Sequence, residues 1–196
     1  ILAAFCMTAT ALRAQTLISA ITDPQLAGGT TLDFDSVTPG SFNPLNLTIV
    51  TFGPSVTVDS SFSGQYNNPG QAINNNGGGV SNLTIDFSTP VAAFGFNFGA
   101  SDVTWTLSAF DSSNTLLAST ILPILNSSNN LATSFFGLGV GSAAIAHVTM
   151  VASGTGDYIF IDNFRFTAVP EPSIPALLAI GVLGLGLFRR FRRMRA

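Results

Sequence analysis

The sequence contains no lysine, one glutamate, one histidine, one cysteine and one tryptophan, and only 9% of its 196 residues are charged. Each shortage closes off a class of function. A single histidine without cysteine partners cannot build a zinc centre, and nothing around His147 has the pattern of a nucleophile with its base. Glu171 is the sole glutamate, so paired-carboxylate acid–base chemistry would fall to aspartates such as Asp33 and Asp35. The glycine clusters at 77–79 and 137–141 lack the lysine that a phosphate-binding loop requires. Cys6 lies in the apolar stretch at the start of the chain, which leaves no cysteine beyond it for a disulfide framework. The chain reads as a non-enzymatic protein.

The few charges are unevenly placed. From Gln15 to Ala168 there are nine aspartates and one cation, Arg165, which puts this part at −8 although the whole chain is −3. No basic patch exists there, so a nucleic-acid partner is excluded. Aspartate and asparagine without lysine suit an exported protein that uses calcium, a cation that takes carboxylate and carbonyl oxygens.

Both ends are apolar. Ile1 to Leu12 is rich in small and apolar residues, and reads as the core of a signal peptide whose start is missing, cleaved after Ala14. At the other end, Pro170-Glu171-Pro172 stops the preceding strand, because proline gives no ladder donor and restricts its predecessor. An uncharged run, Ile174 to Phe188, follows. It is somewhat shorter than the ~20 residues of a usual membrane span, but Phe191 and long arginine stems extend it. Arg189, Arg190, Arg192, Arg193 and Arg195 then hold the tail on the cytoplasmic side. A buried C-terminal helix is the alternative, and five arginines directly after the run argue against it.

This order of triplet, apolar helix and arginine cluster resembles the PEP-CTERM sorting signal of Gram-negative bacteria, over about the last 28 residues. The resemblance implies recognition by an exosortase-type membrane enzyme, with cleavage near Pro170, Glu171 and Pro172. It also implies an inner-membrane-anchored precursor, then a product at the cell surface or in the extracellular matrix, often beside exopolysaccharide. The domain plan is therefore 1–14 signal peptide, 15–168 ectodomain and 169–196 sorting signal with a transmembrane helix at 174–188.

Between these ends the pattern is strands and turns. Strands are predicted over Thr30–Asp35, Leu47–Phe52 and Val56–Ser61, then Leu83–Phe87, Val91–Phe98, Val103–Phe110 and Thr115–Ile121, and finally Thr133–Leu138, Ile145–Ala152 and Tyr158–Phe166. Thr89-Pro90 reads as a turn, Gly53-Pro54 as a connection, and Ser63 to Gly79 as a long Asn/Gly-rich loop, functional or disordered. No helical period occurs before Ser173. Short strands at regular spacing predict an all-β protein, a β-sandwich of jelly-roll type. The succession VAAFGFNFG, VTWTLSAFDSSNT, SFFGLG, IAHVTM, DYIFIDNFRF resembles the β-sandwich ectodomains of PEP-CTERM proteins, which are similar to galactose-binding-like carbohydrate modules.

Asp162 is the most informative polar residue, because alternation puts it on one face with Phe160, Phe164 and Phe166. A carboxylate there must be paired or metal-bound. Two readings stand. In one, calcium is held by Asp162 with Asp33, Asp35, Asp157 and Asn163, the resemblance placing a structural calcium near the first and last strands. In the other, backbone donors or a bulge satisfy Asp162. Tyr66, Asn67 and Asn68 form a candidate sugar-binding loop, against a plainly solvated one. Trp105 alternates with Val103 and Leu107 and is expected in the core rather than as a sugar platform. A structural or adhesive surface role comes first, a calcium-stabilised carbohydrate-binding module second and a secreted hydrolase last, with extracellular polysaccharide as a candidate partner.

Overall fold

The structure is a computed structural model that describes residues 15–65, 68, 70–126, 135–141 and 145–168. Alternating apolar and polar side chains set the strands, since a period of two buries one face and solvates the other. In chain order they are β1 (Thr16–Ile18), β2 (Thr30–Leu32), β3 (Gly40–Phe42), β4 (Leu45–Asn46), β5 (Val50–Gly53), β6 (Val56–Asp59), β7 (Ala72–Asn74), β8 (Asn82–Gly99), β9 (Trp105–Phe110), β10 (Leu116–Leu122), β11 (Phe135–Gly139), β12 (Ile145–Ala152) and β13 (Phe160–Ala168). One short 3-10 turn, Pro24–Leu26, is capped by the Asp23 side chain accepting from Gln25 N.

All the pairings are antiparallel and form two layers. The first layer runs β10-β9-β12-β8-β5-β4. The second runs β1-β11-β8-β13-β7-β6-β3, with β2 also on β13. β8 belongs to both. Residues 82–87 pair with β12 and β5, and 93–99 with β11 and β13. The fold is thus the expected all-β sandwich.

Two sequence expectations change here. Thr89-Pro90 does not end a strand but bends β8 where it passes between layers, a place where proline's missing donor is tolerated. The Ser63 to Gly79 segment is not all loop, because Ala72–Asn74 is strand β7 with all three residues buried. Two apolar residues among asparagines and glycines give too short a pattern to be read as a strand. Gly53-Pro54 also links strands of different layers, since β5 pairs with β8 while β6 pairs with β7 and β3.

Phenylalanine fills the space between the layers. Phe94, Phe96 and Phe98 are fully buried, as alternation within VAAFGFNF predicts, and Phe164 of the last strand is fully buried with them. Phe164 lies 5.2 Å from Phe52 and 6.1 Å from Phe96, ring centre to ring centre. Trp105 is buried too, in the core rather than on the surface. A smaller cluster of Ile18, Leu26, Ala93 and Phe135 packs where the first residues cross the second layer. Arg165 and Thr167 fasten that crossing by donating to the carbonyls of Leu26 and Gln25, each at 2.9 Å.

Candidate functional site

Asp162 sits at a break in the β13 ladder. It pairs with Asn97, but the next pair is Arg165 with Gly95, so β13 carries one extra residue. Asn163 takes up the bulge with φ of 48°, a left-handed conformation that asparagine tolerates. Asp162 therefore shares a face with its partner Asn97, on the outer side of the second layer. Ile161 before it and Phe164 and Phe166 after the bulge belong to the core, and Phe160 to a separate cluster. The single face expected for Phe160, Asp162, Phe164 and Phe166 is split, yet Asp162 is only 1% exposed. Its Oδ2 accepts from Asn163 Nδ2 at 2.9 Å. Its Oδ1 is buried without a hydrogen-bond partner.

A second strained corner lies beside it. β2 pairs with β13 up to Leu32 opposite Phe164. Phe34 then adopts φ of 60°, a conformation that costs a bulky residue about 1–3 kcal/mol. This turn drops the Phe34 ring against Phe52, 5.5 Å away, and leaves Asp33 and Asp35 exposed on either side. Asp35 Oδ1 accepts from Gln71 N at 2.7 Å, and Gln71 Nε2 donates to the Asp35 carbonyl at 2.9 Å. Gly70 is required for this approach, because a Cβ there would land on the Asp35 carboxylate. Gln71 Oε1 is a second buried oxygen without a partner. A cleft of about 310 Å³ opens along the same corner, lined by Asp33, Ser36 and Thr48.

The electrostatics follow from this placement. Burial raises the Asp162 carboxyl from 3.8 to about 7. The Asn163 backbone N–H opposes the rise, while the negative charges of Asp35 and Asp33 add to it. Asp162 and Asn163 thus lie within electrostatic reach of Asp33 and Asp35. Asp157 is committed elsewhere. Its carboxylate accepts from Trp105 Nε1 at 2.6 Å and Asp102 N at 2.7 Å, so both oxygens are used by donors. Of the loop residues, Tyr66 and Asn67 lie outside the described residues. Asn68 is 1% exposed, with its Oδ1 accepting from Gly70 N, and so is part of the corner rather than offered to solvent. Its Nδ2 is buried without a partner and, as a donor, suits no cation.

As a test of calcium, the corner holds two buried, unpartnered hard oxygens, Asp162 Oδ1 and Gln71 Oε1, together with one unpartnered amide nitrogen, Asn68 Nδ2, which contributes nothing to a cation. The two oxygens fit a cation of the calcium type. Among the described residues, however, no three His, Cys, Asp or Glu side chains converge at metal-ligand spacing. A cation here would therefore draw on amide and carbonyl oxygens as well. Gln71 was missed in the sequence, where it lies in a run of polar residues with nothing to single it out.

The sorting residues Pro170, Glu171 and Pro172, the apolar run and the arginines lie outside the described residues. Among the described residues no helix is long and apolar enough to cross a membrane. A family model described as a PEP-CTERM protein-sorting motif matches residues 168–193, so the motif begins where β13 ends and takes in all the arginines of the tail except Arg195. A search of the curated proteins gives no match. Among solved structures, the chain is similar to a fucose-binding module of Streptococcus pneumoniae at 13% identity and TM-score 0.40, over 70% of this chain and 95% of that one. It is also similar to a xylan-binding domain of Paenibacillus barcinonensis at 10% identity and TM-score 0.43, over 72% and 94%. The chain carries a PEP-CTERM sorting motif behind a β-sandwich, and the motif implies an exported protein with a membrane-anchored precursor.

Proposed function

We propose that this protein is an exosortase-sorted component of the cell surface or extracellular matrix with a structural or adhesive, non-enzymatic role. Residues 15–168 are the exported module. Ile174–Phe188 holds the precursor in the inner membrane, the arginines Arg189, Arg190, Arg192, Arg193 and Arg195 keep the tail inside, and the sorting enzyme acts near Pro170-Glu171-Pro172. The observation that carries this reading is the sorting-motif match at residues 168–193, directly after the last strand. Support for a non-enzymatic role comes from the titratable groups. His147 stacks on Phe110 rather than facing a nucleophile, and Asp157 and Asp162 are both buried. Protease treatment of intact cells tests the reading. A surface component is digested while a cytoplasmic marker is spared, and full protection of the protein would refute it.

Within this role, calcium stabilises the corner of Asp162, Asp33, Asp35 and Asn163. Asp162 Oδ1 and Gln71 Oε1 would hold the cation, which would offset the burial of the carboxylate. A ligand bound only by the folded state at a hundredfold excess over its Kd stabilises by about 2.7 kcal/mol. Chelation should therefore lower the Tm, and identical melting curves with calcium and with chelator would remove the cation.

A second reading, a carbohydrate-binding module, is favoured by one feature. The outer face of the first layer is open, with Asn46, Asn82, Asp86 and Thr106 exposed upon it.

A further inference from the structure

The two layers differ in what their outer faces carry. The outer face of the second layer is crossed by residues 18–27, whose Ile18 and Leu26 are buried against Ala93 and Phe135. The outer face of the first layer keeps exposed residues across its width.

Register fixes what lies on that open face. Leu116 is opposite Phe110, Phe110 opposite His147, His147 opposite Asp86, Asp86 opposite Thr51, and Thr51 opposite Asn46. These six residues form one row across six strands. Neighbouring strands are ~4.8 Å apart, so the row is about 24 Å long. Its two ends differ in chemistry. At one end the Phe110 and His147 rings stack at 4.8 Å and 9°, beside Leu116, which is 56% exposed. At the other, Asp86 and Asn46 are exposed, and Thr51 Oγ1 donates to Asn46 Oδ1 at 3.1 Å. A parallel row of Ser119, Ser108, Thr149 and Thr84 lies alongside and adds only hydroxyls.

We propose that this row is the binding site for a neutral, hydroxyl-rich glycan chain lying across the strands of the first layer. The proposal rests on the second reading above and names its site and ligand class. The half-buried rings and Leu116 give an apolar ledge for the C–H faces of sugar rings. Asp86, Thr51 and Asn46 give acceptors and donors for hydroxyl groups. Charge selects against polyanions. Asp86 is on the row, the module is at −8, and its one cation, Arg165, is on β13 in the other layer.

The test uses the full chain in detergent micelles, run in native gels containing hydroxyethylcellulose, xylan, galactomannan or laminarin, with alginate as the polyanion. Retardation is expected in at least one neutral polymer and not in alginate. Phe110→Ala and Asp86→Ala should each weaken it by about tenfold or more, some 1.4 kcal/mol, while Ser41→Ala in the other layer leaves it unchanged. Asp86 is exposed, so its variant decides the matter if Phe110→Ala fails to fold. No retardation in any neutral polymer, equal retardation in alginate, or wild-type retardation by folded Asp86→Ala each overturns the proposal. Protease accessibility on intact cells separates the two claims. An accessible protein that binds no neutral glycan removes this site together with the carbohydrate-binding reading. Retardation that survives in folded Asp86→Ala removes the site alone, and an inaccessible protein removes the surface reading.

Discussion

Trp105 Nε1 donates to Asp157 Oδ2 at 2.6 Å, and both side chains are buried. The same carboxylate accepts from Asp102 N, and the Asp157 carbonyl accepts from Asn75 Nδ2 at 2.6 Å. One residue thus ties the connection before β13 to β9 and to the segment after β7. Asp157→Ala leaves the buried Trp105 Nε1 and the partly buried Asp102 N without acceptors, the buried one costing about 1–3 kcal/mol and the other less. The expected loss is about 1–4 kcal/mol in chemical denaturation, and a midpoint unchanged from wild type would show that water replaces the carboxylate.

Phe164 is the hub of the core. It touches Phe52, Phe87, Phe94, Phe96 and Phe166 across both layers. Phe164→Ala should cost about 3–5 kcal/mol, and Phe96→Ala a similar amount, since both rings are fully buried. A Tm within a degree of wild type for either variant would mean the ring is not packed as described.

Asp162 makes stability depend on pH in a defined direction. Its carboxyl is raised from 3.8 to about 7 by burial, so the folded state holds a proton that the unfolded state has lost between these values. Without calcium, stability should be highest at about pH 4. It should fall as pH rises, by up to about 1.4 kcal/mol per unit, and level off above about pH 7. Asp162→Asn should flatten this slope in chelator. Wild-type stability that rises with pH across this window in chelator would contradict the assignment.

Most of the fold was legible because phenylalanine alternation in VAAFGFNF marks a central strand, whereas in YIFIDNFRF the bulge after Asp162 shifts the period and sets Phe160 on the other face from Phe164 and Phe166. Strand β7 was not legible, since Ala72-Ile73 is too short to show a period. The passage of β8 between layers was read as a turn because Thr89-Pro90 carries a turn signal, and only the pairing partners on either side show that the strand continues. In the candidate site, Asp162 stood out as a carboxylate among aromatics. Gln71 and the left-handed Phe34 did not, because one is an ordinary polar residue in a polar run and the other depends on backbone geometry. Asp157 looked like a cation ligand by its closeness in sequence, whereas its partner, Trp105, is 52 residues away.

Gly137 faces Gly95 across β11 and β8, and a Cβ on Gly137 would lie 2.1 Å from the Phe94 carbonyl oxygen. That atom is backbone and cannot swing away. Gly137→Ala should therefore force β11 off β8, at a cost of about 1–3 kcal/mol or more. Unchanged amide exchange in β11 of this variant would refute the close approach.

The central claim is that the sandwich is exported and sorted by the motif that follows β13. Intact-mass analysis of the mature protein from a strain with its native sorting enzyme tests this most directly. The account predicts a C terminus near Pro170-Glu171-Pro172, without the arginine tail, and a membrane-bound, full-tail product when the three residues are changed to alanine. A mature wild-type protein that still carries Arg189 to Arg195 would contradict it.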